Sequence, residues 1–330
     1  MMVKINSFQG DRKLCHTRKS GHSDYRRDQP LKKWIPVFTG MTQGYSGFER
    51  LRLRVVVLLA TILFISSTLY AAPKSDLWPR WQKHDAASTE KIDHEVWNRL
   101  LRRYLISPHP SGINRFRYAT VASEDRVALK GYLQRLQGVA ISLYNRAEQR
   151  AYWINLYNAQ TVELILSRYP VRSIRDINIS PGFFTSGPWG AKLLSIEGEK
   201  LSLDDVEHRI LRPIWQDNRI HYALNCASLG CPNLQPEAFT GVNTDSLLEK
   251  GAREFINHPR GVTINNGKLR VSSIYVWFQE DFGSSAEGLL EHWGRYATGA
   301  LANALNSYSG GLTHDYDWLL NGTEPGAQKQ

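Results

Sequence analysis

Two cysteines, Cys226 and Cys231, are the residues of this chain best suited to chemistry. Cys226 ends a short apolar segment that begins at His221, and we predict that this segment is a β-strand followed by a turn. A thiolate is a strong nucleophile and a metal ligand, and a nearby histidine or helix N-terminus lowers the pKa of a thiol. The pattern therefore indicates a thiol-centred site at a strand end. The alternative is that Cys226 is a small buried apolar residue.

Cys231 precedes Pro232, which favours an extended turn conformation at this cysteine. It has three candidate roles: the disulfide partner of Cys226, a second thiol, or a resolving thiol that reacts with oxidised Cys226. An exported protein with two cysteines usually pairs them. A bridged pair and a free nucleophile therefore both remain open on sequence grounds.

The strand prediction also bears on which histidine can reach Cys226. Alternate side chains of a strand face opposite ways, so His221 and Cys226 would point to different faces. Zinc binding by both cysteines with His208 and His221 is a further alternative. We expect no metal, because four residues separate the cysteines, whereas a zinc knuckle has about two. We expect no cofactor either, since the sequence has no glycine-rich phosphate loop.

Glu207 and His208 lie on a helix that we predict over residues 202–211, ended by Pro213. Adjacent helical side chains diverge by about 100°, so a direct hydrogen bond between Glu207 and His208 is not expected. Glu207 lies at the edge of the apolar stripe, where an ionised carboxylate needs a partner. The alternative is that both side chains are exposed on a surface helix.

Asn155 lies within the longest predicted helix, from Glu148 to Tyr169, which Pro170 ends. Asparagine is unfavourable in the middle of a helix unless its side chain has a task. Its amide could donate a hydrogen bond to a developing oxyanion. A buried structural hydrogen bond is the alternative.

The N-terminal region reads as a leader and not as part of the fold. Val55–Tyr70 is an apolar stretch preceded by arginines and followed by Ala71-Ala72, the pattern of a secretory signal. A retained membrane anchor is the alternative. Residues 32–42 resemble the translated form of a repeat found between bacterial genes, so we expect a natural start at Met41. Residues 1–40 are then a non-native or disordered leader, and residues 41–71 are the signal peptide or anchor.

The distribution of charge argues against a nucleic-acid partner. The chain has a net charge of +10, but residues 1–54 hold 12 Lys or Arg against 4 Asp or Glu, so the remainder carries only +2. A nearly neutral body lacks the basic surface that binds a polyanion. We expect membrane contact only through Val55–Tyr70, and the oligomeric state is not indicated.

The remaining chain predicts an α+β fold, with helices packed on a small antiparallel sheet. Helical patterns dominate residues 72–145, which we predict to be a helical N-terminal part, and residues 146–330 form the core. Hairpins are predicted around Glu197-Gly198 and Asn266-Gly267. Further predicted helices cover residues 246–257, 274–278, 286–296 and 300–305.

Four ordered motifs resemble a known family. They are Tyr-Trp-Ile-Asn-Leu-Tyr-Asn-Ala (152–159), Asp-Asp-Val-Glu-His-Arg-Ile-Leu-Arg (204–212), Arg-Ile-His-Tyr-Ala-Leu-Asn-Cys-Ala-Ser-Leu-Gly-Cys-Pro (219–232) and Tyr-Asp-Trp-Leu-Leu-Asn (316–321). Together they resemble the domain-of-unknown-function 547 family over about residues 140–321. That family looks similar to papain-like and transglutaminase-like thiol folds, which implies a site of cysteine, histidine and acid.

This resemblance implies a role for each candidate residue. Cys226 would be the nucleophile, His208 the base that takes its proton, and Glu207 an orienting or structural acid. His221 is the alternative base, and Asn155 would donate to the oxyanion.

The resulting expectation is an exported protein, periplasmic or secreted, with a thiol site. It would be a cysteine hydrolase or acyl transferase that acts on an unidentified peptide or acyl substrate through an amide or thioester. The alternative is a non-enzymatic binding or scaffold module in which Cys226 and Cys231 form a structural disulfide.

Overall fold

The computed structural model describes residues 73–182 and 186–323. The predicted leader, signal or anchor over residues 1–71 therefore lies outside the described residues. Within the described ranges, no helix combines the length and the apolar character needed to cross a bilayer.

Helices supply most of the regular structure. They are α1 (Glu95–Tyr104), α2 (Ser123–Gln137), α3 (Arg146–Arg168), α4 (Asp205–Leu211), α5 (Arg212–Trp215), α6 (Thr244–Ile256), α7 (Ile274–Trp277), α8 (Ala286–Tyr296) and α9 (Gly299–Asn306). Short 3₁₀ turns include Asn218–Tyr222 and Gln279–Phe282. The predicted helices α3, α6 and α8 are confirmed to within two residues at each end, because their apolar spacing and their terminating residues agree.

The strands form three small sheets. They are β1 (Leu105–Ile106), β2 (Arg115–Phe116), β3 (Leu194–Ile196), β4 (Glu199–Leu201), β5 (Val262–Asn265), β6 (Lys268–Ser272) and β7 (Leu312–Asp315). Both predicted hairpins are present, β3–β4 around Glu197-Gly198 and β5–β6 around Asn266-Gly267. The α+β prediction is confirmed. The sheet β5–β6–β7 is not wholly antiparallel, since β7 joins β6 in parallel.

The helix that carries Glu207 and His208 differs from the prediction. It does not end before Pro213 but continues from α4 into α5, and α4 has π-type hydrogen bonding. The Arg212 N–H bonds the carbonyl of Glu207 instead of that of His208. Pro213 has no N–H for the carbonyl of Arg209. Both freed carbonyls are satisfied by an upstream segment, His208 O by Asp76 N at 2.9 Å and Arg209 O by Trp78 N at 3.0 Å.

The predicted strand over residues 221–226 is wrong. Residues 218–222 form a 3₁₀ turn, and irregular chain follows up to Cys226. The backbone groups that a strand partner would satisfy are instead taken by one side chain, Asn158 of α3. Its Nδ2 donates to Ala223 O at 2.8 Å, and its Oδ1 accepts from Asn225 N at 2.8 Å. The argument from alternating strand faces therefore does not apply to His221 and Cys226.

Two hydrophobic clusters meet at this irregular segment. The larger cluster extends from Trp81 in the N-terminal part to Leu320 near the C-terminus and includes most of α3. The smaller one surrounds Phe255 and Trp293 of the C-terminal helices. The chain passes from one to the other at residues 220–224, because Ile220 packs in the larger cluster and Tyr222 in the smaller. The candidate site thus lies at the junction of the two clusters.

Candidate functional site

Cys226 and Cys231 form a disulfide. Cys231 is 3% exposed, whereas Cys226 is partly exposed. The Cys226 N–H also donates to the Cys231 Sγ at 2.9 Å. An incoming reagent therefore meets the Cys226 sulfur first, and Cys231 is the sheltered member of the pair.

Two hydroxyl groups face the disulfide. Tyr316 Oη lies 3.1 Å from Cys226 Sγ and 3.1 Å from Cys231 Sγ, and Ser228 Oγ lies 3.4 Å from Cys226 Sγ. Ser228 in turn donates to Tyr316 Oη at 3.0 Å. Burial raises the pKa of Tyr316, so its hydroxyl stays protonated and can donate to sulfur. Tyr316 was not predicted as a site residue. Its place in the motif at residues 316–321 was the sequence signal that could have identified it as one.

The loop that carries the cysteines is held by asparagines. Asn225 Nδ2 donates to Pro232 O at 2.8 Å, and Asn225 Oδ1 accepts from Ala227 N at 2.9 Å. Ala227 has a φ of 59°, in the left-handed region that a residue with a side chain rarely adopts. A strained backbone of this kind is held in place only by surrounding contacts, and such residues are frequent at functional sites.

The same loop lies against the C-terminal motif. Leu229 N donates to Leu319 O at 2.8 Å, and Gly230 N donates to Asp317 O at 2.8 Å. A Cβ on Gly230 would lie 2.9 Å from Asp317 N, closer than real Cβ contacts allow. Only glycine permits this approach, so Gly230 allows the cysteine loop to pack against the C-terminal motif.

Glu207 contacts His221 and not its neighbour His208. Glu207 Oε1 lies 3.6 Å from His221 Nδ1, and His221 Nε2 donates to Asp281 Oδ2 at 2.7 Å. Arg212 Nε donates to the same Asp281 oxygen at 2.6 Å. These contacts agree with the expectation that Glu207 needs a partner and that His208 cannot be that partner. They disagree with the alternative of an exposed surface helix, since His208 is buried and Glu207 is nearly buried.

The buried charges shift one another's pKa values. Burial lowers the pKa of His221, but the hydrogen bonds to Asp281 and Glu207 outweigh burial and raise it. Burial raises the pKa of Glu207, but His208, His221 and Arg212 together lower it to about 2. The Glu207 carboxylate therefore lies beside His221 in a buried cluster with Asp281 and Arg212, and the two carboxylates favour the charged form of His221.

His208 is in a different state. Burial lowers its pKa to about 4, with Glu207 opposing the shift and Arg212 adding to it. Arg212 Nη1 donates to His208 Nδ1 at 3.1 Å, which leaves the proton of the neutral ring on Nε2. His208 Nε2 lies 3.7 Å from Asp204 Oδ1. At neutral pH His208 is thus an uncharged imidazole beside a carboxyl group.

Asn155 is fully buried and bonds the backbone of one residue. Its Nδ2 donates to Phe239 O at 2.7 Å, and its Oδ1 accepts from Phe239 N at 3.0 Å. The side chain therefore has the structural task that was the alternative to oxyanion donation. Asn155 does not contact Cys226 in the described structure.

The predicted histidine bases are also not in contact with the sulfur. Among residues 73–182 and 186–323, no hydrogen bond or ion pair joins Cys226 to His208 or to His221. The two groups of residues influence each other electrostatically. Burial raises the pKa of Tyr157 and of Tyr316, and the charge of Glu207 raises both further. Within these ranges, no cluster of three or more His, Cys, Asp or Glu side chains is placed to hold a metal ion.

Residues 141–256 match the family described as protein of unknown function, DUF547. The matched segment supports the resemblance to this family that the sequence motifs predicted. No curated protein and no solved structure matches the chain at a significant level.

The DUF547 match contains every site residue predicted from the sequence, since Asn155, Glu207, His208, His221 and Cys226 all lie within it. Two residues that complete the site lie beyond its C-terminal end. Tyr316 supplies the hydroxyl on the sulfur, and Asp281 supplies the carboxylate on His221. The candidate site is therefore assembled from the segment that matches the family and from the chain that follows it.

Proposed function

We propose that this protein, once its disulfide is reduced, is a cysteine-dependent hydrolase or acyl transferase that acts on an amide or thioester. One observation carries the proposal: the partly exposed Cys226 sulfur lies within 3.1 Å of the Tyr316 hydroxyl and 3.4 Å of the Ser228 hydroxyl. Hydrogen bonds to a charged form favour that form. In the reduced protein the Tyr316 hydroxyl, which itself accepts a hydrogen bond from Ser228, would therefore stabilise a Cys226 thiolate.

The reaction would begin with reduction of the disulfide by a dithiol, which is itself oxidised to a disulfide. The Cys226 thiolate would attack the carbonyl carbon of the substrate, and the C–N or C–S bond would break. The leaving amine or thiol would take one proton. Water or an acceptor amine would then attack the thioester, releasing the acyl product and the thiolate.

His208 is the residue that we propose moves the proton. Its pKa of about 4 keeps the imidazole neutral at neutral pH, and Nδ1 would have to give up the hydrogen bond from Arg212 in order to accept a proton. Buried Glu207 and His221 would hold the helix that carries it. The role requires His208 to approach the freed sulfur, since a proton acceptor must come within about 3 Å or act through one water.

The export of the protein is part of this proposal. A disulfide between the two cysteines of the described chain is typical of proteins in oxidising compartments. We therefore propose a periplasmic or secreted location, with the bridged state as the resting form.

The test is the pH dependence of alkylation by iodoacetamide in the Cys231→Ser variant, which frees Cys226. We expect a thiol pKa below the usual value of about 8.5. Tyr316→Phe in the same background should raise that pKa by about one unit, because a hydrogen bond to a charged group contributes about 1.5–3 kcal/mol.

Tyr308→Phe is the matched control, because Tyr308 Oη donates to Gly311 O and does not contact the cysteines. It should leave the thiol pKa unchanged. A Cys226 pKa at or above about 8.5 that does not respond to Tyr316→Phe would contradict the proposal.

The competing function is a binding or scaffold module with a structural disulfide. The burial of Cys231 and the engagement of both Asn155 side-chain atoms by Phe239 favour it. Replacing both cysteines by serine would then cost about 2 kcal/mol for so short a loop. Cys226 in the single Cys231→Ser variant would react like an ordinary thiol.

A further inference from the structure

Four aromatic side chains form a partly exposed surface beside the disulfide. This aromatic platform consists of Trp189, Trp277, Tyr316 and Trp318, none of which is fully buried. The Tyr316 and Trp318 ring centres lie 4.6 Å apart, and Trp277 lies 4.9 Å from Tyr316. Trp189 lies 5.8 Å from Trp318. Large aromatic rings are costly to leave in contact with water, so a continuous group of them indicates a binding surface.

The aromatic platform is continuous with the thiol site. Tyr316 belongs to both, since its ring packs in the platform and its hydroxyl lies 3.1 Å from Cys226 Sγ. At the other end, Trp189 O accepts a hydrogen bond from Asp204 N at 3.0 Å. The backbone of Asp204 thus adjoins Trp189 at one end of the platform, and Cys226 adjoins Tyr316 at the other.

The platform already accepts one cation. The Arg175 guanidinium lies over the Trp318 ring, 5.3 Å from its centre. The face of an aromatic ring carries negative electrostatic potential and attracts ammonium or guanidinium groups, most strongly when several rings surround them.

Asp204 supplies a carboxylate that has no lysine or arginine within ion-pair distance in the described ranges, although the charge of Lys192 attracts it from farther away. Its neighbour Asp205 pairs with Lys192 and Arg209, and Glu207 pairs with His221. Within the described part of the chain, the ion contact of Asp204 is with His208 at 3.7 Å, and His208 is neutral. Burial, together with repulsion from Glu207 and Asp205, raises the pKa of Asp204 to about 7. A ligand cation would relieve this repulsion.

We propose that the aromatic platform and Asp204 bind a primary alkylammonium group of the substrate and so present an amide of that substrate to Cys226. The presentation of an amide to Cys226 rests on the proposed thiol chemistry. The binding of the ammonium group does not need a free thiol. An anionic group would be repelled by Asp204, and a neutral ring would gain nothing from it. The chemistry of the surface therefore selects a lysine-like side chain.

Binding of a small probe pair to the full chain with its disulfide intact tests this inference. Nα-acetyl-lysine methylamide carries the ammonium, and Nα-acetyl-norleucine methylamide has nearly the same shape without the charge. Calorimetry and tryptophan fluorescence should show at least about tenfold tighter binding of the lysine probe. Its affinity should rise between pH 6 and pH 8, as Asp204 loses its proton near pH 7.

Two variants localise the binding. Trp318→Ala and Asp204→Asn should each weaken the lysine probe at least about fivefold. Asp204 is 39% exposed, so Asp204→Asn should fold even where Trp318→Ala does not. Trp215→Ala is the control, because Trp215 packs under Arg146, with the guanidinium 5.5 Å from its ring, and should leave affinity unchanged.

Equal affinity for the two probes would overturn the inference, as would retention of lysine binding by Asp204→Asn. Neither result would contradict the proposed thiol chemistry, because the alkylation of Cys231→Ser tests that chemistry separately. A high pKa for Cys226 together with selective lysine binding would instead leave a binding protein for cationic side chains.

Discussion

At the residue scale, the candidate acids and bases do not pair with their neighbours in the chain. Glu207 and His208 are neighbours in the chain, yet Glu207 pairs with His221 and His208 accepts a hydrogen bond from Arg212. The rings of His208 and His221 both pack against Phe278, at 5.7 and 4.4 Å. The pKa of His221 is raised and that of His208 is lowered because only His221 contacts carboxylates on both ring nitrogens.

The pH dependence of stability tests this assignment. His221 has a raised pKa, so its contribution to the free energy of unfolding is complete below about pH 6.5 and is lost as pH rises through the folded-state pKa. Asp281→Asn removes the main hydrogen-bond acceptor of His221. It should therefore lower the free energy of unfolding by about 3 kcal/mol at pH 5.5 and by less at pH 8.5, as measured by urea denaturation.

Asp315→Asn provides the comparison, because Asp315 pairs with Arg270 while 61% exposed. A surface pair of this kind is worth less than about 1 kcal/mol at either pH. An NMR titration of His221 should also show its pKa falling below 6.5 in Asp281→Asn, since burial then dominates. An equal loss of stability at both pH values would show that His221 is not charged in the folded protein.

At the scale of elements, the cysteine loop depends on close backbone approach and not on sheet pairing. Gly230 lies against Asp317 with no room for a Cβ, and Asn321 N donates to Ala227 O at 3.0 Å. The π-type hydrogen bonding of α4 is likewise completed by an outside segment, through Asp76 and Trp78. Such local departures from regular helix and strand are frequent at functional sites.

Gly230→Ala should separate the cysteine loop from the C-terminal motif. The added methyl would overlap backbone atoms of Asp317, and overpacking of this kind costs about 1–3 kcal/mol. Thermal or urea unfolding would measure the loss of stability. Gly131→Ala on α2 should instead stabilise by up to about 1 kcal/mol, because nothing lies within 4 Å of its new Cβ. Destabilisation by both substitutions would contradict the close-approach argument.

At the scale of the whole molecule, the helical N-terminal part shares its hydrophobic core with the family segment. Trp97 of α1 and Leu129 of α2 belong to the same buried cluster as Ile154 of α3. The family match begins only at residue 141. The residues before it therefore contribute to the stability of the segment that carries the candidate site.

Trp97→Ala tests this shared core. Removing a buried indole costs about 3–5 kcal/mol, and we expect the loss to appear as faster amide hydrogen exchange throughout α3 as well as in α1. Val127→Ala on α2 is the control, because Val127 is 70% exposed, and it should change exchange little. Faster amide exchange in α1 with unchanged exchange in α3 would show that the N-terminal part folds independently.

Much of the architecture follows from the sequence alone. Apolar spacing and Pro170 predicted α3, and Asn266-Gly267 predicted the β5–β6 hairpin. These elements are specified by neighbours in the chain, so local patterns suffice to predict them. The order of four short motifs predicted the resemblance to the DUF547 family, which the match over residues 141–256 supports.

Only the tertiary structure decided the surroundings of the cysteines. The apolar character of residues 221–226 predicted a strand, but Asn158 occupies the backbone groups that a strand would pair. Tyr316 reaches the sulfurs from 90 positions along the chain. Contacts over such separations in the chain depend on how the two hydrophobic clusters pack together. Short sequence patterns do not predict that packing. The sequence therefore determined which thiols matter, and the fold decided that they are bridged and which hydroxyl lies beside them.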